Sequence, residues 1–476
     1  MFIANDRSLR YYCWGSKARA EHHGIALPEG DLEARPVLWD SEPIQPGARR
    51  GMISNSPMEV TEDSFHYHVL KRAAEQTFRV SSRFMDTLFE WWGPRPPMNV
   101  NLAASYRNLG ANKGRLASVD PFYDWRGRVY TMSGSHGSLQ NSRLSRAAME
   151  APEAVSVRGT GAWAYALECF EHEGWPTTVE AATEFLKTPT DDYMGVRAAI
   201  AILEVAETGA TAYLLEQDAT CSGFQHMALL TRDVELAKAV NATVSDVRGD
   251  LYAIVAEDTD VARYFGITDR QARSFCKPIV MLTGYGSGAQ GLAQRYWLDY
   301  GGAMVEGPEG LEPCCDTTIT IHGKTFKFDD LVEWVKPMQA ALFDKFPIIE
   351  TLRNRCMSYF EDSVLEGAHP FVWTTPNGFE CHRDLLPGDY DKGVVSAAGA
   401  MPNMIHSLDA CVVQNVIAAW KGVVGVVHDA FFTTVDKALD LRECVRQQYA
   451  NVHSNLGAFP IHASRAPLPV GLCIGV

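Results

Sequence analysis

The stretch Gly422 to Val435, GVVGVVHDAFFTTV, constrains this chain more than any other. Val423 to Val427 is one apolar run, Phe431 to Val435 is a second, and the polar pair His428-Asp429 breaks them. Two short β-prone runs around a polar break read as a hairpin, or as strand, turn, strand. The break sets one carboxylate, Asp429, at the exposed tip of a rigid element. Alone, a His-Asp pair at such a place is an ordinary surface turn. Three other stretches, at 218, 273–286 and 400–409, give it a second meaning.

With 476 residues the chain can bury a large core and divide into two or three subdomains. A hydrophobic content of 46% and a charged content of 21% are those of an ordinary globular protein. No apolar run reaches the length of a spanning helix, and no membrane role is expected. The first residues, MFIANDRSLRYY, carry charge inside their apolar stretch, unlike a secretory signal. Eleven cysteines are scattered without a C-x-x-C, and only Cys314-Cys315 are adjacent. That usage points to reduced thiols in a cytoplasm, not to a disulfide framework or a zinc site. The net charge of −15 argues against a protein that coats nucleic acid by its backbone. It leaves room for a basic channel inside an acidic shell.

Residues 1–55 have no clear period and read as an irregular extension. Residues 57–92 read as helical, with Ser56 before Pro57, or Thr61, as the cap, and Leu70, Ala74, Phe78, Phe84 and Leu88 at helical spacing. Gly93-Pro94-Arg95-Pro96-Pro97 breaks the chain at a subdomain joint. Arg107, Lys113 and Arg115 form a local basic patch, or simply a solvated helix face. In Asp124-Trp-Arg-Gly-Arg-Val-Tyr130, planar guanidiniums flank a glycine that lets another backbone approach. Residues 159–210 read as helical and Ala212 to Leu215 as a strand. Ser222 and Gln225 have capping-box spacing, so a helix is expected from about 223. Asp218 then ends a strand just before a turn, as a cap or as a ligand. Residues 233–260 read as helical. Thr268 to Gln271 opens a helix bearing Arg273, Lys277, Met281 and Tyr285, followed by Gly286. Steps of four keep these side chains on one side, over roughly 18 Å at about 1.5 Å per residue. Such a row could follow a triphosphate, a sugar and a base, or could be a snorkelling basic edge. Pro278 should cost this helix a hydrogen bond or bend it. A hairpin is expected over Thr317 to Phe328, helical structure over 329–366, a strand and turn over Trp373 to Phe379, a helix from Ala400 to Trp420 and another over 436–456. His406 lies on the first of these last two helices. The stretch from Ala463 to Val476 is apolar and Pro-rich.

Two carboxylates at strand ends can hold a pair of Mg²⁺ ions about 3.5–4 Å apart, which suits in-line phosphoryl displacement. A cationic helix can hold a triphosphate and neutralise its developing charge. Nucleotidyl transfer accounts for these pieces together.

At this point the chain resembles the phage-type and mitochondrial single-subunit RNA polymerases, over roughly residues 66 to 470. The stretches that carry the resemblance are DWRGRVY at 124–130, DATCSGFQH at 218–226 with the AVNATVSDVRGDLYAIVAE that follows, RSFCKPIVMLTGYGS at 273–287, MPNMIHSLD at 401–409 and VHDAF at 427–431. The resemblance implies that Asp218 and Asp429 are the metal ligands, assisted by the carbonyl of Ala219. It implies that Arg273 and Lys277 contact the nucleotide phosphates, Lys277 also protonating the leaving pyrophosphate. Tyr285 with His406 would sense the ribose 2′-OH, Gly286 would let the template pass, Arg126 and Arg128 would contact template and hybrid, and His428 would brace Asp429.

The implied fold is α+β, mostly helical: a right hand with an antiparallel palm sheet, fingers and a reduced thumb. Its divisions would be an extension over 1–55, a thumb-like region over 56–118, palm over 119–232 and 407–476, and fingers over 233–406. Several features depart from the family. Only some sixty residues stand where full members carry a promoter-binding domain, and 379–399 is short for a promoter-reading hairpin. The thumb region 93–118 is cut down, Pro278 stands where the family usually has a basic residue, and no aromatic foot follows Leu472. The expectation is therefore a catalytic subunit that cannot select promoters alone, like the larger chain of split phage polymerases. Its partners would be template DNA, nascent RNA, NTPs and a second subunit or a single-strand DNA-binding recruiter, and its place a cytoplasm, that of the host if the source is a phage. The alternatives are a DNA polymerase of the same hand and a non-catalytic, polymerase-like nucleic-acid-binding subunit.

Overall fold

The structure, a computed structural model, describes residues 38–39, 60–119, 121–131, 138–307, 310–314, 316–365, 371–383, 397–461 and 470. It is mostly helical, with short strands that pair antiparallel throughout the described residues. The hairpin expected at 422–435 is present: Gly425–Val427 pairs with Ala430–Thr434 across the two-residue turn His428-Asp429. The second hairpin strand also pairs with Leu214–Gln217, with Phe431 opposite Gln217 and Thr434 opposite Leu214. It is thus the middle strand of a three-stranded sheet.

Every residue of that middle strand is buried, because both faces of the sheet are covered. Successive strand residues point to opposite faces. Phe431 accordingly joins the core built by the helices Ala400–Ala419 and Ala438–Ser454, with Leu408, Leu441 and Tyr449. Phe432 joins a second core, with Phe78, Leu144 and Ile200. Each buried phenylalanine contributes about 1.5–3 kcal/mol to stability. A separate core serves residues 256–338. There Phe275, Cys276 and Ile279 of the helix Asp269–Gly284 pack with Leu292, Trp297 and Val335. That helix opens on the expected capping box, in which Thr268 Oγ1 accepts from Gln271 N at 3.3 Å and Gln271 Oε1 accepts from Thr268 N at 3.0 Å. It continues through Pro278 to Gly284.

Several local expectations are corrected. Of the stretch expected to be helical over 57–92, the described residues 60–92 form two helices, Phe65–Ala74 and Ser82–Trp92, with the strand Thr77–Val80 between them. Phe78 is buried from that strand, and an apolar spacing that fits a helix also fits its turn-and-strand path. The first cap is Ser64, which accepts from Tyr67 N, rather than Thr61; Ser56 and Pro57 lie outside the described residues. The strand expected at 212–215 runs from Leu214 to Gln217. Residues 159–210 break into three helices and 233–260 into two main ones with a short turn after them. The helix near 223 starts at Ser222, but without the capping box. Gln225 is fully buried and donates instead to Val240 O at 2.9 Å. The hairpin at 317–328 and the helix from Ala400 are as expected; the helical stretch 329–366 is two helices, Phe328–Lys345 and Pro347–Leu365, and the strand expected from Trp373 begins at Phe371 and ends at Thr374. Apart from Leu38–Trp39 and Val470, the extension 1–55 and the tail from 462 lie outside the described residues, as does 384–396 in the short promoter-hairpin region. Among the described residues no helix is long and apolar enough to cross a membrane.

Candidate active site

Sheet register brings the two aspartates together. Gln217 lies opposite Phe431, so Asp218 leaves one strand where Asp429 enters its neighbour. The turn that presents Asp429 is held by His428 in the left-handed region, at φ +57°, an uncommon place for a non-glycine residue. Asp429 is half-buried, while Asp218 and His428 are exposed. Although Asp218 keeps exposed surface, protein surrounds most of its carboxyl, and that desolvation, then the Asp429 and Glu216 charges, push the carboxyl up from 3.8 to about 7, with Lys277 pulling the other way. Burial and the charge of Asp409 likewise raise Asp429, while a hydrogen bond from Ser222 opposes the rise. His428 lies edge-on to Tyr130, ring centroids 5.8 Å apart.

Of the cation row, Lys277 lies close enough to act on Asp218. Arg273 is half-buried and Lys277 exposed, on the helix side opposite Phe275 and Ile279. The Tyr252 ring lies 5.4 Å from the Arg273 guanidinium carbon and 5.6 Å from Lys277 Nζ. The Tyr252 hydroxyl is fixed in turn by Cys221 Sγ at 3.0 Å and Met281 Sδ at 3.1 Å. Tyr285 ends the helix, and its ring lies 5.2 Å from that of His406. Gly286 follows at φ +90°, a conformation that favours glycine. The Tyr285 hydroxyl reaches the backbone of Gly223, where an added Cβ would stand 2.1 Å from it. Burial and the Arg128 charge push His406 down to about 3, so it is neutral near pH 7.

The Arg-Gly-Arg turn closes the other side. Arg126 is held by Asp124, at 2.9 Å from Nε and 2.7 Å from Nη2, and its Nη1 lies 3.3 Å from His406 Nδ1. Arg128 pairs with Asp409 at 3.1 Å. Gly127 has φ +83°, and a Cβ there would meet Gln414 Nε2 at 2.8 Å. Gln414 uses that nitrogen to donate to Gly127 O at 2.7 Å, and its oxygen accepts from Asn377 at 2.7 Å and faces His66 Nδ1 at 3.1 Å.

Behind the two arginines runs a buried polar chain. Asp409 Oδ1 lies 3.0 Å from His226 Nε2, and His226 Nδ1 lies 2.8 Å from His453 Nε2. Placing the His226 hydrogen on Nε2, facing Asp409, leaves Nδ1 to accept from His453. Burial works against the Asp409 charge, but His226 and Arg128 prevail and hold the carboxyl below its usual range. The structure thus links Asp218 to Asp429 and Lys277, Tyr285 to His406, and His406 to Arg126, while Arg273 is tied to Asp250 and Ala219 packs against the main core. Ser222, Gly223, Asp409, His226 and Gln414 lie beside them, although none was expected as a site residue. Four of these stand inside motifs quoted above, and for Ser222, His226 and Asp409 the available signal was a polar residue among buried neighbours.

Chemically, two crowded carboxylates suit a hard divalent cation, which takes oxygen ligands and keeps several waters. Their raised pKa values come first from desolvation and then from neighbouring carboxylate charge, and a bound cation offsets both. Among the described residues no group of three or more His, Cys, Asp or Glu side chains is placed to hold a metal, so the protein's side chains would supply only part of a coordination shell.

A family model described as DNA-dependent RNA polymerase matches residues 193–384 and 392–459. Both aspartates, the cation row and His406 lie inside the match, and Arg126 and Arg128 precede it. The mitochondrial DNA-directed RNA polymerase of Schizosaccharomyces pombe is 26% identical over 325 residues, covering 56% of this chain and 26% of its own. DNA-directed RNA polymerase 1, mitochondrial, of Nicotiana sylvestris is 25% identical over 290 residues, covering 52% of this chain and 27% of its own. The mitochondrial enzyme of Mus musculus is 25% identical over 274 residues, covering 50% and 21%. The chain spans about a quarter of the length of these relatives.

Proposed function

Because this chain belongs to the phage-type single-subunit family of DNA-dependent RNA polymerases, we propose that it makes RNA on a DNA template by nucleotidyl transfer at the cleft between Asp218, Asp429 and the helix Asp269–Gly284. The observation that supports this reading is the pairing of Leu214–Gln217 with Ala430–Thr434, which brings Asp218 to a strand end near Asp429, whose charge raises the Asp218 carboxyl while Lys277 opposes the rise. Asp218 and Asp429, with the Ala219 carbonyl, would hold two Mg²⁺ ions, which when bound stabilise charge on the attacking and leaving oxygens.

The chain's own residues supply the rest. Arg273 and Lys277 bind the triphosphate, and Lys277 donates a proton to the departing pyrophosphate. Tyr285 and the neutral His406 hydrogen-bond around the ribose, where a 2′-OH distinguishes RNA precursors. Gly286 gives the template strand room, and Arg126 and Arg128 face the hybrid. In this reading the three-stranded sheet is the palm, formed by 119–232 and 407–476, with fingers over 233–406 and a reduced thumb over 56–118. The chain acts as a catalytic subunit that depends on a second subunit or a single-strand DNA-binding recruiter for promoter choice; its net charge of −15 supports that dependence.

The test compares the purified full chain on a primed single-stranded template and on an intact linear duplex, with rNTPs and with dNTPs. Magnesium-dependent RNA synthesis on the primed template, and little on the duplex, is expected. Sequence-specific initiation on duplex by this chain alone refutes partner dependence. A preference for dNTPs would favour a DNA polymerase of the same hand. Glycine at 223 speaks against that reading, since it leaves no side chain beside the Tyr285 hydroxyl to clash with a 2′-OH. RNA synthesis unaffected by Asp429→Ala would favour a non-catalytic role.

A further inference from the structure

The phosphate-facing cation Arg273 is already held by a carboxylate that sequence reading did not single out. Its Nε donates to Asp250 Oδ2, and among the described residues neither of its terminal nitrogens hydrogen-bonds to the protein. Asp250 divides its two oxygens between two tasks. Oδ1 accepts from Tyr252 N at 3.1 Å and from Ala253 N at 3.0 Å, capping the helix Leu251–Asp258. Oδ2 is left for the guanidinium. The same helix supplies the Tyr252 ring that underlies both Arg273 and Lys277. A capped turn, a ring and a carboxylate thereby fix one helix against the cations of another.

We propose that Asp250 is a positioning residue for the incoming nucleotide, holding Arg273 by Nε so that its two terminal nitrogens are left to grip the triphosphate. The proposal rests on the polymerase reading above and adds the device that orients one of its phosphate contacts. An arginine free in solvent loses much rotamer freedom when it binds, which weakens binding. One tethered at Nε keeps open the edge that matches phosphate oxygens bidentately. The Asp250 charge is compensated by the guanidinium it holds, so it adds little net repulsion toward the substrate.

The informative variant is Asp250→Asn. Asparagine caps a helix about as well as aspartate, so the cap survives while the charge that holds Arg273 is lost. On a primed template, Asp250→Asn is expected to raise KM for all four NTPs about fivefold, the scale of one partly exposed ion pair. The change falls on KM rather than kcat, and inhibition by added pyrophosphate weakens in parallel. The melting temperature stays within about 1 °C of wild type. Arg273→Gln raises KM further, and Asp250→Asn combined with Arg273→Gln is no worse than Arg273→Gln alone. An unchanged or lowered KM in Asp250→Asn, or additive losses in the double variant, overturns the proposal. If the wild-type chain makes no RNA, the polymerase reading fails separately. Calorimetric binding of Mg·ATP to the same four proteins then decides the Asp250 question, equal affinity of wild type and Asp250→Asn counting against it.

Discussion

Asp218 combines exposure to the cleft with a strongly displaced titration, and the sign of its effect on stability follows. Burial and Asp429 raise its pKa from 3.8 to about 7. In the unfolded chain the proton leaves near pH 4, whereas in the folded chain it stays until about pH 7. The metal-free folded state therefore loses stability as pH rises between those values. Asp218→Asn removes the charge, so the metal-free variant should melt about 2 °C higher than wild type at pH 8 and equally at pH 4, solvent screening keeping the gain small. RNA synthesis should fall by about 10³-fold or more. Equal melting at pH 8, measured by calorimetry in chelator, would show that the carboxylate is not crowded. Magnesium competes with the same proton, so its apparent affinity should weaken as pH falls below about 7.

The helix Ala400–Ala419 carries Gln414, whose amide ties three otherwise separate segments together through Gly127, Asn377 and His66. Gln414→Leu keeps the volume and strands those partners, an expected loss of about 3 kcal/mol by urea unfolding. Activity should fall with it, since the Arg126–Arg128 turn hangs from that amide; a loss under about 0.5 kcal/mol would mean that water replaces it. Such ties explain what could be read from the chain beforehand. The Gly422–Val435 hairpin and the Arg273–Tyr285 row were legible because their signal is local, a period of two or of four. The Arg128–Asp409 pair joins residues 281 positions apart and leaves no local mark. The helix–strand–helix at 65–92 was missed because Leu70, Ala74 and Phe78 fit a helical period even though the chain turns at Glu75. The capping box at 222–225 was misread because the helix already begins at Ser222, with Cys221 before it, and Gln225 serves a tertiary partner, Val240.

At the scale of the molecule, charge and core organisation act together. A chain of net charge −15 offers duplex DNA few phosphate contacts outside its cleft. Fluorescence anisotropy should place its affinity for random duplex in the weak class, roughly 10⁻⁴–10⁻⁶ M at physiological salt. Nanomolar, sequence-dependent duplex binding by the chain alone would contradict that. Residues 256–338 have a core of their own, while the three-stranded sheet is completed only when the strand Leu214–Gln217, near the middle of the sequence, meets the hairpin Gly425–Thr434. Gln217 Nε2 reaches Ala438 O at 2.7 Å across 221 positions. On the ribosome, at about 5–20 residues per second, the strand Leu214–Gln217 must wait about ten to forty seconds for its neighbour to be synthesised. During that interval its edge is a sticky ribbon, and the nascent chain has most reason to recruit a chaperone there.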